Sequence, residues 1–205
     1  LFNGEIYNYK SLRTELKKKG YKFSTTSDTE VIIYLYMHYG INFLQRIKGM
    51  FSIVINDKSI NKIFLARDHV GMKPLFYTLM DNKFSICSEM KPLISLNKNQ
   101  EILNQAAADY LKYGFINGEN TIYKHIKCFP PASYAEFSTI NKTIKISKWL
   151  DPSFYDKSIN NLSNWELSKK HYLRDKIRES IKLHLESDTK IGILLSSGLD
   201  SSIIA

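Results

Sequence analysis

Two cysteines among 205 residues are too few for a disulfide-stapled scaffold. Cys87 and Cys128 stand far apart, with no C-x-x-C and no metal-ligand spacing around them. Cys87 lies in an alternating run, K-F-S-I-C-S, and reads as a packed thiol. Such sparse usage fits a reducing cytosol. Long apolar runs are lacking too: none approaches the roughly 18 residues of a membrane span, so no membrane role is expected. The N-terminus has no initiator Met and no basic segment ahead of an apolar core, hence no cleavable signal. The chain begins in mid-motif and stops within a helix, and reads as a fragment cut at both ends. Acidic residues are in the minority, 20 against 29 Lys and Arg, for a net charge of +9. A basic balance invites a nucleic-acid reading. The lysines are scattered, however, apart from Lys17, Lys18 and Lys19, and no aromatic-and-basic recognition signature accompanies them. The charge is that of a solvated surface, and no nucleic-acid partner is expected.

What is present is ordinary globular material, 43% hydrophobic and 24% charged, enough for one large or two modest domains. Leu12 and Leu16, four apart and followed by Gly20, predict a short amphipathic helix from about Tyr9. Ser27 with Glu30 fits a capping box, and Val31, Ile32, Leu35 and Tyr36 supply a helical apolar face ending at Gly40. Residues 42–48 read as a further helical turn or two. From Met50 the period changes to two: strands over 50–56 and 62–66 flank a turn, and 75–79 and 83–88 form a hairpin around Asp81-Asn82. Residues 67–74 between these hairpins are a loop. Short helices are expected over 90–96 and 106–113, the latter stopped by Gly114, and a last hairpin over 133–137 and 143–149. Residues 150–163 are polar and read as a linker. A long helix over 164–185, with Leu167, Leu173, Ile177, Ile181 and Leu185 turned inward, then leads to an apolar run. Hairpins plus helices over the first 150 residues are an α+β pattern, whereas helix followed by parallel strand is α/β. The change of class marks two domains.

Residues 190–205 read K-I-G-I-L-L-S-S-G-L-D-S-S-I-I-A. The run 191–195 is short, β-branched and bounded by a loop, as in a buried parallel strand. Ser196, Ser197 and Gly198 then open a helix near Leu199 or Asp200. Strand, small-residue loop and helix N-terminus together present N–H groups and hydroxyls to an anion, so a phosphate is the first candidate ligand. A serine-rich turn with a good N-cap accounts for the same residues without a ligand. It is not a Walker loop, lacking G-x-x-x-x-G-K. Near the other end stands Asn3-Gly4-Glu5. Asn-Gly is by itself a hairpin-turn signal, and Asp28 by itself could complement a helix dipole.

Taken together the motifs are more specific. S-S-G-L-D-S-S resembles the pyrophosphate-binding loop of ATP pyrophosphatases, usually S-G-G-x-D-S-S, with Ser197 where that family has glycine. A serine is costly there if the position needs a positive φ. N-G-E-I-Y-N-Y, S-D-T-E-V-I, G-M-F-S, R-D-H-V-G-M-K-P-L-F-Y, S-E-M-K and F-P-P-A-S-Y occur in an order that resembles the glutaminase domain of glutamine-hydrolysing asparagine synthetases. These belong to the N-terminal-nucleophile, class II amidotransferases, and an adenylating domain with the serine loop follows in them. The resemblance implies an α+β glutaminase domain of layered antiparallel sheets with helices over 1–150, a linker over 151–163, and the start of an α/β parallel-sheet ATP-pyrophosphatase domain over 164–205.

Carried onto this sequence, it implies that the side-chain amide of Asn3 and the N–H of Gly4 form an oxyanion hole. Asn3, Glu5 and Asp28 would bind glutamine, the two carboxylates at its α-amino end. Leu194, Ser196, Gly198, Asp200, Ser201 and Ser202 would hold ATP and its pyrophosphate. ATP with Mg²⁺ would adenylate aspartate, ammonia from glutamine would displace AMP, and no protein metal site is implied. The family's nucleophile is an N-terminal cysteine that Leu1 lies downstream of. Cys87, mid-strand and without an adjacent base, does not replace it, and the 205 residues alone are expected to hydrolyse no glutamine. Family members are often homodimers. Two alternatives stay open: a relative that amidates another carboxylate, as in surface-sugar or secondary metabolism, and a degenerate, non-catalytic relative. The loop 67–74 is a family marker and is expected to be architectural.

Overall fold

Strand β1 (Phe2–Ile6) opens the chain in the computed structural model, which describes residues 1–96, 100–150, 167–187 and 189–205. Helix α1 (Tyr9–Lys18) buries Leu12 and Leu16 as their spacing requires, and Gly20 carries the chain away from it at φ +92°. Helix α2 (Asp28–Tyr39) begins at Ser27, whose Oγ accepts from the Thr29 N–H at 3.1 Å, and ends at Gly40. Its buried residues are Val31, Ile32 and Leu35. The capping box is only half formed. Glu30 reaches past Ser27 to the N–H groups of Ser24 and Thr25, each at 2.8 Å. The expected turns over 42–48 are a single 3₁₀ helix, Gly40–Gln45.

Alternation then takes over. Strands β2 (Gly49–Asp57) and β3 (Lys62–Arg67) pair antiparallel, with Val54 opposite Leu65 and Ile53 opposite Ala66. Strands β4 (Phe76–Met80) and β5 (Lys83–Cys87) turn through Asp81 and Asn82, both at positive φ as a two-residue hairpin demands. Helices α3 (Met90–Ser95) and α4 (Asn104–Tyr113) follow, the second closed by left-handed Gly114. Strand β6 (Lys127–Cys128) precedes the hairpin of β7 (Ser133–Ser138) and β8 (Ile144–Lys148). Helices α5 (Leu167–His184) and α6 (Leu199–Ile204) end the chain.

The chain divides into two compact units. One comprises Leu1–Ile6, Ile41–Arg46 and Met50–Asp151, and the other Tyr7–Gly40, Ile47–Gly49 and Pro152–Ala205. Two sheets make up the first, a five-stranded one in the order β1-β2-β3-β7-β8 and a three-stranded one in the order β5-β4-β6. They share a core in which Leu65, Leu75, Phe129 and Ala135 are buried against Val54, Ile63, Tyr77, Phe84 and Ile86. Phe84 stacks on Phe137 at 4.2 Å between centroids. The opposite face of the large sheet receives Phe43 of the 3₁₀ helix against Phe64. Both faces being covered, β3 is buried over Phe64–Arg67, which explains its unbroken apolar run. In the second unit α1 contacts α2, and Tyr7 packs on His184 of α5.

Three expectations need correction or lie outside the described residues. Residues 191–195 form no strand and Leu194 is 97% exposed, because no neighbouring strand among the described residues offers them a ladder. Leu173 and Ile177 of α5, and Leu185 just after it, are exposed rather than inward, since no packing surface covers them among the described residues. The linker over 151–163 and the expected helix start at 164 fall outside the described residues.

Candidate functional site

Strand β1 carries Asn3, Gly4 and Glu5 side by side, with Asn3 and Glu5 on one face by strand alternation. Leu1 and Val54 exchange both main-chain hydrogen bonds, at 2.8 and 2.9 Å, which fixes β1 antiparallel to β2. Gly4 sits at φ +155°, and a Cβ on it would meet the Met50 carbonyl oxygen at 2.0 Å. Only glycine lets the two strands approach this closely. The Asn-Gly pair is therefore not the hairpin turn it could have been. The Asn3 side-chain amide donates to Ser88 Oγ at 3.2 Å, a residue that follows β5. Both line a cavity of about 280 Å³ between the two sheets, together with Ser52, Cys87 and apolar side chains. Among the described residues no His, Lys, Asp or Glu lines it, so Cys87 has no side-chain base in that cavity.

Asp28 belongs to the other compact unit, where it is the first residue of α2. Ser27 Oγ lies 3.4 Å from its carboxylate. The preceding loop is tightly bonded. Besides the contacts of Glu30, Arg13 Nη2 donates to the Ser27 carbonyl at 2.7 Å and Tyr34 Oη to that of Lys22 at 2.9 Å.

The serine loop gathers Ser196, Gly198, Ser201 and Ser202 at the start of α6. Ser196 Oγ and Ser201 Oγ are 2.8 Å apart, and the Gly198 N–H donates to Ser196 Oγ at 3.1 Å. Ser201 and Ser202 donate to the Gly198 carbonyl at 3.0 and 2.9 Å. Ser197 does not take a positive φ, so its side chain costs no backbone strain here. Leu194, Ser196, Gly198 and Asp200 are all exposed. Among the described residues no group of His, Cys, Asp or Glu could hold a metal, and no helix is long and apolar enough to cross a membrane.

Residues 1–150 match the glutamine amidotransferase domain family. The chain belongs to that family. Residues 172–205 match the asparagine synthase family. Asparagine synthetase (glutamine-hydrolysing) 1 of Bacillus subtilis strain 168 is 36% identical over 204 residues, covering 100% of this chain and 31% of that protein. Asparagine synthetase (glutamine-hydrolysing) 2 of the same organism is 36% identical over 216 residues, covering 100% of this chain and 28% of its own length. The chain thus spans under a third of these curated relatives. A solved glutamine phosphoribosylpyrophosphate amidotransferase from B. subtilis, complexed with ADP and GMP, superposes with a TM-score of 0.51 at 20% identity. That match covers 73% of this chain and 28% of the other, and shows the fold: antiparallel sheets with helices, as in class II amidotransferases.

Within the amidotransferase domain the loop 67–74 has a definite job. Asp68 is 1% exposed, and its carboxylate accepts from the N–H groups of Phe51, Val70, Met72 and Lys73 at 2.9 to 3.2 Å. Arg67 donates to the carbonyls of Lys73, Gly71 and Phe129 at 2.7, 2.8 and 2.5 Å. These two charges close the loop on itself and tie it to β2 and to the start of β7, where Ala132 N–H reaches the Asp68 carbonyl at 2.8 Å. His69 rests edge-on against Trp149, and burial holds its pKa below the usual 6.5 although Asp68 pulls the other way. Sequence reasoning passed over Ser88 and Glu30 as site residues. The signal was present, since both fall inside motifs, S-E-M-K and S-D-T-E-V-I, but their partners are set by the fold.

Proposed function

We propose that the full-length protein makes asparagine from aspartate with glutamine as the nitrogen donor. The observation that carries this is 36% identity over an alignment that covers the whole chain, both the amidotransferase match and the asparagine synthase match, to a relative that bears that name. In this reading the Asn3 amide and the Gly4 N–H meet the oxyanion that forms when the glutamine amide carbon is attacked. Such donors act on charge that develops only in the transition state, and removing one costs about 3–4 kcal/mol where it has been measured. The nucleophile comes from elsewhere in the full-length protein, as Cys87 lacks a base in its cavity. Glu5 and Asp28 hold the α-ammonium of glutamine, a carboxylate being a suitable partner for an ammonium group.

Leu194, Ser196, Gly198, Asp200, Ser201 and Ser202 take ATP. Their hydroxyls and the first N–H groups of α6 receive the pyrophosphate that leaves as the aspartate carboxylate becomes an acyl-adenylate. Mg²⁺ held by the oxygens of the ATP triphosphate would supply charge neutralisation there. Ammonia then attacks the acyl carbon and AMP departs. Keeping ammonia out of bulk water prevents its protonation, which accounts for both activities on one chain.

The test is an assay of the full-length protein with glutamine, aspartate and ATP. Asparagine, glutamate, AMP and pyrophosphate are expected in equal amounts. AMP formation with some other carboxylic acid and none with aspartate would replace the acceptor and overturn the reading.

A further inference from the structure

We propose that Glu30, assisted by Arg13, is a positioning residue that holds the Asp28 loop ready for the α-ammonium of glutamine. The inference rests on the reading of Asp28 given above. Both oxygens of Glu30 are engaged: Oε1 accepts from Ser24 N at 2.8 Å, and Oε2 from Thr25 N at 2.8 Å and Thr25 Oγ1 at 2.7 Å. Thr25 Oγ1 in turn accepts from Ser27 N at 3.3 Å, so the chain of bonds ends at the residue preceding Asp28. Arg13 of α1 closes it from the other side through the Ser27 carbonyl, its guanidinium 5.0 Å from the Phe23 ring centroid. Tyr21 and Phe23 pack on Tyr34 of α2, at 5.1 and 4.9 Å between centroids. The loop is thus fastened to α1 and α2.

Helix capping alone does not require this. Ser27 already caps α2 through the Thr29 N–H, and a Glu in a capping box would turn to the N–H of Ser27. Glu30 instead spends its carboxylate on N–H groups upstream, in a segment that has no regular structure to satisfy them. Those donors, chiefly Ser24 N–H, hold its carboxyl below the ordinary 4.5, so it stays an acceptor-only anion at neutral pH. A loop ordered before the ligand arrives charges no ordering cost to binding. The consequence falls on affinity and on recognition of the ammonium group, since the reacting amide lies at the far end of glutamine.

The decisive experiment measures glutamine hydrolysis by the full-length protein against a substrate lacking the α-amino group, 5-amino-5-oxopentanoate. Wild type, Glu30→Ala, Glu30→Gln and Asp28→Asn are compared, with ammonia-dependent asparagine formation as the check on folding. Glu30→Ala is expected to raise KM for glutamine about 10-fold, the scale of losing a charge-assisted hydrogen bond, with kcat within about 2-fold. Glu30→Gln, which keeps one acceptor oxygen, falls between. KM for the des-amino substrate stays unchanged, so selectivity for glutamine shrinks by the same factor. A purely structural loss would raise both KM values together and would overturn the proposal. Selectivity lost in Asp28→Asn but intact in both Glu30 variants overturns the clamp alone. Selectivity intact in all three overturns the Asp28 assignment and the clamp with it.

Discussion

The loop after β3 and the turn that opens α6 each set a glycine near a carboxylate, Gly71 with Asp68 and Gly198 with Asp200, yet they are held in opposite ways. In the first, Asp68 and Arg67 are buried and spend their hydrogen-bonding capacity on backbone groups of the loop and of the strands around it. In the second, Asp200 and most of its neighbours face solvent, and the hydroxyls of Ser196, Ser201 and Ser202 bond to one another and to nearby backbone of the same turn. A loop whose two charged groups are buried and bonded to backbone is a fixture of the fold. An exposed one with hydroxyls bonded only locally can exchange those bonds for ligand oxygens at small cost. The motif proposed to take ATP is therefore the less stabilising of the two.

This contrast can be broken or sharpened with chemical denaturation of the full-length protein. The largest effect is expected at β1, where Gly4 lies directly against the Met50 carbonyl. Gly4→Ala places a Cβ on the Met50 carbonyl and should destabilise by at least about 3 kcal/mol, or abolish folding. An unchanged unfolding midpoint would mean that β1 does not lie against β2 as described. Next comes Asp68→Asn, which turns an acceptor into a donor facing N–H groups. It should cost about 2–4 kcal/mol, and a loss under about 0.5 kcal/mol would remove the structural role of the buried Asp68. The smallest effect belongs to Ser201→Ala in the serine loop. It should shift unfolding by less than about 0.5 kcal/mol, since its partners stay within reach of water. A large loss there would erase the difference between the two loops.

Much of the fold was legible locally. The β2–β3, β4–β5 and β7–β8 hairpins follow from alternation and from turn residues such as Asp81-Asn82, and α2 from Ser27, its apolar spacing and Gly40. β1 and the two-residue β6 were not, because neither has a pattern apart from the strand it pairs with. The run 191–195 shows the reverse failure, a strand-like sequence with no partner among the described residues to make it a strand. At the site, the chemical types at Asn3, Gly4, Glu5 and Asp28 could be read in order. Their supports could not: Ser88 meets Asn3 across 85 positions, and Glu30, spaced for a reciprocal cap, bonds upstream instead.

The sequence by itself determined the periods of helix and strand, the turn positions, and the order of motifs that marks an amidotransferase domain. These depend on neighbouring residues and on sterics within a few positions. The tertiary structure alone decided that Gly4 must be glycine, that Arg67 and Asp68 are internal fasteners, and that Asn3 faces Ser88 across a cavity. Each of these is a contact between segments distant in the chain, and a hydrogen bond or a close approach exists only once both partners have been brought to the same place.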